Sequence, residues 1–451
     1  MKSIFLSLSF IIGAIVLPAQ NPYFPKTLSM EERAEVIDRW MEERVQTVLP
    51  ELMKRTGIDM WIIVAREYNE DPVIKTMLPA TWQSARRTTI LVIFDPGNSQ
   101  PLETMAMARY GVGKTFQKVW DKEQQPDQWK ALAELIKDKN PKKIGINKSK
   151  TFALADGISS THYDQLMESL PSSFQKRVVS AENLAIGWLE TRTPSEMMVY
   201  QNIVRMAHQI IAEGFSEQVI QPGITTTDDV VWWYRDRIRE LGFTAWFHPS
   251  VSIQRKDPES FEHLRAFSDR PEDQVIIPGD LLHVDFGITY LRLNTDTQQH
   301  AYVLKPDEKK APDFLEQAFE SGNQLQDIFT TNFKTGMTGN EILAKSLSDA
   351  KNTGLKPTIY THPIGYHGHA AGPTIGLWDQ QDGVPGAGDY PLYPYTAYSI
   401  ELNNAVFIEQ WNKEIRIMLE EDAFFDGNKV EYIDGRQVEL MLIPRTLAPN
   451  K

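Results

Sequence analysis

The chain contains no cysteine in its 451 residues. Disulfide staples and thiolate nucleophiles are therefore excluded, and any bound metal has to be held by His, Asp and Glu. Positive charge is also short: 47 Lys and Arg stand against 60 Asp and Glu, a formal net charge of −13, with no basic run. This balance argues against nucleic acid and against anionic membrane surfaces as partners. No repeat period is found, and the one Gly/Pro-rich loop, "DGVPGAGDYPLYPY" at residues 382–395, does not recur, which excludes solenoid and propeller arrays.

A long hydrophobic run is missing too. The apolar segment at residues 4–17 falls short of the roughly 20 residues that a membrane-spanning helix needs. With Lys2 before it and the small Ala19 behind it, "MKSIFLSLSFIIGAIVLPAQ" has the pattern of a secretory signal. Residues 1–20 are thus expected to be a signal peptide outside the fold. The protein is expected to be exported to a periplasm or the cell exterior, without stable membrane insertion.

What is present is ample core material, 41% apolar and 10% aromatic, in an ordinary globular composition. The length exceeds the roughly 250 to 300 residues at which a single core stops growing, so two domains are expected. In the first, residues 21–190, "SMEER" offers Ser29 as an N-cap and Glu32 as its capping-box partner, ahead of a helix to about Arg55. Apolar runs at 60–65, 89–94 and 143–147 alternate with helical patterns at 126–138 and 161–170, which reads as α/β.

The second unit, residues 191–451, opens at "TRTPSE", with Thr193 as N-cap, Pro194 in the first turn and Glu196 closing a capping box. The helix beyond places Ile203, Ala207, Ile210, Ile211 and Phe215 on one face, and another helix runs from about Thr227 to Leu241. From Val251 onward strands dominate, with one long helical stretch expected at about 312–352. This unit reads as α+β.

Chemistry concentrates in three stretches of that unit. "DLLHVDFGITYLRLNTDTQ" sets Asp285 and Asp296 eleven residues apart in a strand pair, where aspartate is disfavoured. "THPIGYHGHAAGP" holds three of the nine histidines, His362, His367 and His369, around Gly365 and Gly368. A single loop histidine is most often a solvated imidazole, but the cluster and the tight glycine path favour convergence. In "YTAYSIEL" a period of two sends Ala397, Ser399 and Glu401 to one face. In "IRIMLEED" it sets Glu420 opposite Ile415, Ile417 and Leu419, with Glu421 a close rival.

Taken singly, a strand glutamate is usually a solvent-facing residue. Together, four strand carboxylates and one histidine make a hard, oxygen-rich set suited to two divalent ions such as manganese, iron, cobalt or zinc. Without metal the acids would repel, whereas two dications would balance their four negative charges.

The sequence here resembles the pita-bread-fold metallopeptidases, and most closely their Xaa-Pro aminopeptidase and prolidase branch, which is creatinase-like. The "D-x-G" aspartate and its partner eleven residues on match Asp285, Gly287 and Asp296. The "H-x-x-G" histidine and the catalytic one seven residues later match His362, Gly365 and His369, and the two strand glutamates match Glu401 and Glu420. The resemblance covers about residues 190–445. It implies a pita-bread catalytic domain of the α+β class, preceded by a creatinase-type α/β domain.

It further implies Asp285, Asp296, His362, Glu401 and Glu420 as ligands of two divalent ions, manganese first, with cobalt, zinc or iron as alternatives. Roughly 3.5 to 4 Å apart, such ions lower the pKa of a bridging water and stabilise the oxyanion. Glu401 would also shuttle a proton, and His369 and His263 would hydrogen-bond the reacting carbonyl, with His248 as the alternative to His263. The substrate implied is a peptide with proline at its second position, and relatives are often homo-oligomers.

Two departures bear on substrate class: Gln299 stands where the family often has arginine, and Ala370 where it often has an acid. A register placing Tyr366 at the metal is rejected because it loses the ligand and the spacing. A prolidase remains a second reading, with Arg255, Arg265 and Arg416 as candidates to bind a free carboxylate. A metal-free binding module and a creatinase-like hydrolase without metal are disfavoured by the complete ligand set.

Overall fold

Ser29 caps the first helix, Met30–Thr56: its Oγ accepts from the Glu32 amide at 3.3 Å, and the Glu32 carboxylate accepts from the Ser29 amide at 2.8 Å. This is the expected capping box. The structure is a computed structural model that describes residues 24–98, 100–256 and 274–445. The expected signal peptide, His263 and Arg265 lie outside the described residues.

The first helix shares a core with a six-stranded sheet, ordered Gln117–Lys118, Glu103–Met107, Thr88–Phe94, Met60–Arg66, Ile144–Ile146 and Val178–Ser180. Trp61 and Ile63 face Leu49, Leu52 and Met53 of that helix. Met60, Ile62 and Val64 face the other way, onto Leu132, Ile136 and Leu166 of the helices Gln128–Lys139 and Ser160–Ser169. A sheet covered on both sides needs apolar residues at every position, hence the unbroken run at 60–65.

Thr193 opens the helix Pro194–Gly214 as expected. Its Oγ1 accepts from the Glu196 amide at 3.2 Å and Glu196 accepts from the Thr193 amide at 2.8 Å. Ile203, Ala207, Ile210 and Ile211 pack with Val230, Tyr234 and Ile238 of the helix Thr227–Glu240, onto Val284 and Phe286.

These last two belong to a nine-stranded sheet. Its main path runs Pro357–Ile359, Thr396–Ile408, Lys413–Phe425, Thr297–Val303, Leu281–Phe286 and Ser250–Gln254. The back face carries Tyr398, Ile400, Leu402, Ile415, Ile417 and Leu419, all fully buried. Alternation therefore turns Glu401 and Glu420 to the front.

The helical stretch expected as one piece at 312–352 is two helices, Asp313–Thr330 and Gly339–Asn352. Thr338 restarts the second with its own capping box, donating its amide to Glu341 at 2.8 Å. A continuous helix there would be about 60 Å long, too long to lay Phe319, Phe329, Ile342 and Leu343 onto the same strand face, where they now meet.

Candidate metal centre

The two aspartates owe their spacing to a hairpin. After Leu281–Phe286 the chain pairs Thr289–Tyr290 with Leu293–Asn294 and returns as Thr297–Val303. Leu291 and Arg292 occupy the turn with φ of +54° and +65°, a conformation that suits the twist of a hairpin and costs a side-chain-bearing residue of order 1–3 kcal/mol. Burial of Leu291 offsets that cost, as does a hydrogen bond from Arg292 Nη1 to the Leu78 carbonyl at 2.8 Å. A Cβ on Gly287 would lie 2.4 Å from the Thr295 carbonyl oxygen and from Trp246 Nε1, which explains the glycine of "D-x-G".

Strand register then lines up the acids. Glu401 pairs with Glu420, Glu420 with Gln298, and Gln298 with Asp285, one row across four strands. Asp296 stands beside this row, and His362 enters from the short strand His362–Pro363, paired with Ser399. His362 Nε2 lies 3.5 Å from Asp296, 3.6 Å from Glu420 and 4.0 Å from Glu401.

Ligand atoms converge within 4.8 Å in three overlapping groups: Asp296 with His362 and His369; His362 with Glu401 and Glu420; Asp285 with Asp296 and Glu420. All five expected ligands are brought together. His369 joins them from the exposed side, its ring edge-on to His362 at 4.7 Å and to Trp246 at 5.2 Å.

Other candidates fall elsewhere. Glu421, the rival of Glu420, points to the back, where it binds His208 at 2.7 Å and Gln299 at 3.0 Å. Gln299, the first departure, is thus behind the ligand strand, and Ala370, the second, donates its amide to the Pro363 carbonyl at 3.0 Å. His367 is in none of the convergent groups. His248 packs against Trp232 at 5.2 Å and lies 3.3 Å from Arg235 Nη1, and it too is in none of them. Arg255 pairs with Asp280 at 2.8 Å, while Arg416 donates to Asn403 at 2.7 Å on the front of the sheet. Tyr366 donates to Glu196 at 2.7 Å, away from the acids, in keeping with the rejected register.

Four residues around the site were missed by sequence reading. Ser399 Oγ donates to Glu420 Oε1 at 2.5 Å, and the buried Asp422 accepts from the Asp296 amide at 3.3 Å. Thr361 Oγ1 accepts from the Glu401 amide at 2.9 Å, and Gln298 reaches both glutamates. Period two already placed Ser399 and Asp422 on the faces of Glu401 and Glu420, a signal not used.

The donor set fits a cation. His362 Nδ1 is 3.0 Å from the Pro363 carbonyl and donates to it, so the Nε2 lone pair faces the acids. Among the described residues, His362 Nε2 and Asp296 Oδ1 are both buried without a hydrogen-bond partner. Lone pairs facing one another in a dry site repel, and a divalent ion between them reverses the sign. Without one, burial and then the Glu420 charge push the Asp296 and Glu401 carboxyls well above the usual range. Burial alone would lower His362, but Glu420 and Glu401 outweigh it and raise it to about 9.

Behind the site, His208 sits between Glu421 and Asp434, at 2.7 and 3.5 Å. Burial opposes its charge, yet the two acids raise its pKa to about 10 from an ordinary 6.5. A folded-state pKa raised above the unfolded one stabilises fully below about 6.5, and that contribution is lost as pH rises toward 10. The melting-temperature gap between wild type and His208→Gln is therefore expected to be widest near pH 6 and to close by pH 10. A gap that stays constant over that range would contradict the charged pair.

Comparison with known proteins agrees with this geometry. Residues 202–423 match the model of metallopeptidase family M24, and no curated protein sequence matches the chain. Among solved structures, the X-Pro aminopeptidase of Thermotoga maritima MSB8 has a TM-score of 0.61 at 16% identity, covering 87% of this chain and 99% of that one. A Xaa-Pro dipeptidase from Bacillus anthracis gives 0.57 at 18%, over 92% and 100%. The prolidase of Pyrococcus horikoshii OT3 gives 0.52 at 16%, over 91% and 100%.

At such identities the likeness establishes the fold, and it spans both sheets. Metallopeptidases of this family use divalent metals, for which the convergent groups supply ligands. With the pita-bread fold, the family match and the gathered acids together, residues 202–423 form a metallopeptidase family M24 domain.

Proposed function

We propose that the protein is an exported, dinuclear metal-dependent aminopeptidase that hydrolyses the bond between an N-terminal residue and a following proline. The observation that carries this reading is a pair of buried atoms without a hydrogen-bond partner among the described residues, His362 Nε2 and Asp296 Oδ1, within a set of four carboxylates. Asp285, Asp296, His362, Glu401 and Glu420 would hold the ions, and the oxygen-rich set favours manganese, with cobalt, zinc and iron as alternatives. Bound there, two divalent ions supply Lewis-acid polarisation of the scissile carbonyl and a water acidic enough to attack near neutral pH.

The chain's own groups do the rest. Glu401 has one carboxylate oxygen tied to Gln298 at 2.6 Å and the other turned toward His362. That second oxygen would also carry a proton from the attacking water to the leaving nitrogen. His369 stands at the exposed edge, where its imidazole can donate to the oxyanion as charge develops. His263 is assigned the same task on the strength of the sequence pattern, as is export by residues 1–20.

A second reading, a prolidase restricted to dipeptides, is favoured by Arg416, a cation on the same strand face as Glu420 and suited to a free carboxylate. One assay separates the two. Purified protein is given a Xaa-Pro dipeptide and the matched Xaa-Pro tripeptide, with manganese and with a chelator. The expected result is chelator-sensitive release of the first residue from the tripeptide. Cleavage of the dipeptide alone would establish the prolidase, and cleavage of neither would refute both readings.

A further inference from the structure

We infer that Gln298 is the positioning residue of the metal centre: its side-chain amide holds Glu401 and Glu420 side by side, and His283 holds the amide. The inference rests on the reading of those two glutamates as metal ligands.

Glu401 and Glu420 face each other directly across neighbouring antiparallel strands. Like charges so placed are destabilising, and nothing in the strand backbone tells either carboxylate which way to turn. Gln298, next in the same row, supplies both answers. Its Nε2 donates to Glu401 Oε1 at 2.6 Å and to Glu420 Oε2 at 2.7 Å. Both amide hydrogens are used, one for each acid. The oxygens that Gln298 does not hold are Glu401 Oε2 and Glu420 Oε1, the latter also accepting from Ser399 Oγ at 2.5 Å, and these two face His362, at 4.0 and 3.6 Å. The tie therefore selects which oxygens are presented to an ion.

The amide's orientation is enforced from behind. Turned over, it would set its oxygen against two carboxylates. As it stands, Oε1 lies 2.9 Å from His283 Nε2, and His283 Nδ1 lies 3.4 Å from Ser252 Oγ. A consistent assignment has Ser252 donate to Nδ1, His283 donate from Nε2 to Gln298, and Gln298 donate to the two glutamates. His283 is buried, and its two ring nitrogens face Gln298 and Ser252, which fixes the one N–H this arrangement requires on Nε2. A cationic side chain in place of Gln298 would also bind the acids but would cancel charge that the ions need. The neutral amide orients them and leaves their charge intact.

The test is manganese binding by calorimetry to chelator-stripped, full-length protein. Gln298→Met keeps the volume and removes both donors, and it is expected to bind manganese about 10- to 100-fold more weakly. At saturating manganese its KM for the peptide should stay within about twofold of wild type, because the Gln298 side chain is buried and engaged by Glu401, Glu420 and His283, whereas general disruption would move both. His283→Phe keeps the amide but removes its anchor, and its affinity should fall between the two; it decides the matter if Gln298→Met does not fold. Wild-type binding with both variants unchanged would overturn the inference alone. Failure of the wild type to bind any manganese would overturn the metal centre and the inference together.

Discussion

Glu401→Gln is expected to lower kcat for a Xaa-Pro peptide by at least about a thousandfold, or about 4 kcal/mol of barrier. The substitution is nearly isosteric, so the strand pairing of Glu401 with Glu420 and the hydrogen bonds through Thr361 should survive. What it removes is a negative charge in the proposed metal site and the proton acceptor proposed at that oxygen. Asp296→Asn should fall as far, because Asp296 belongs to two of the three convergent groups.

Stability supplies the control. In chelator, each variant has one fewer acid in a set that burial and mutual repulsion already push toward protonation. Each should therefore melt no lower than the chelated wild type, and should gain less than wild type when manganese is added. Retention of a tenth or more of wild-type kcat in either variant would remove Glu401 or Asp296 from the mechanism.

Glu196→Ala is expected to destabilise the fold by about 3–5 kcal/mol, since it breaks a buried ion pair from one side only. Glu196 is fully buried between Arg44 Nη1 at 2.9 Å and Arg192 Nη1 at 3.5 Å, and it also accepts from the Thr193 amide and the Tyr366 hydroxyl. Burial raises its carboxyl, but the two guanidinium groups prevail and hold it below its ordinary 4.5. A depressed carboxylate stabilises above its unfolded value, and this contribution is lost as pH falls through the folded one. At neutral pH the full effect should appear as a lower denaturation midpoint with an unchanged slope.

The consequence extends to the site. Arg44 belongs to the first helix and Tyr366 to the loop that carries His362 and His369, so this cluster ties the amino-terminal sheet layer to the histidines. Weaker manganese binding should accompany the loss of stability. A destabilisation below about 1 kcal/mol would mean that the cluster behaves like an exposed pair.

Much of this was legible in the chain itself, because it depends on neighbours in sequence. Ser29 with Glu32 and Thr193 with Glu196 announced two helix starts, and apolar runs alternating with helical patterns announced the α/β layer. The eleven-residue spacing of Asp285 and Asp296 and the seven-residue spacing of His362 and His369 carried the family resemblance. The alternation of "TAYSIEL" already turned Glu401 away from Tyr398, Ile400 and Leu402, which form the buried back of the sheet.

What the sequence by itself determined is therefore the inventory: which side chains lie on which face of each element, and which acids and histidine are available to a metal. Those statements follow from periods of two and 3.6 and from capping, all local. The tertiary structure decided the rest. It chose Glu420 over Glu421 by giving Glu421 to His208, and it broke the expected helix at 312–352 so that both halves reach one core. It also set Gln298 in the row between Asp285 and Glu420. Each of these depends on strand register and on partners far away in the chain, and a one-residue slip in register would have sent every one of these side chains to the opposite face.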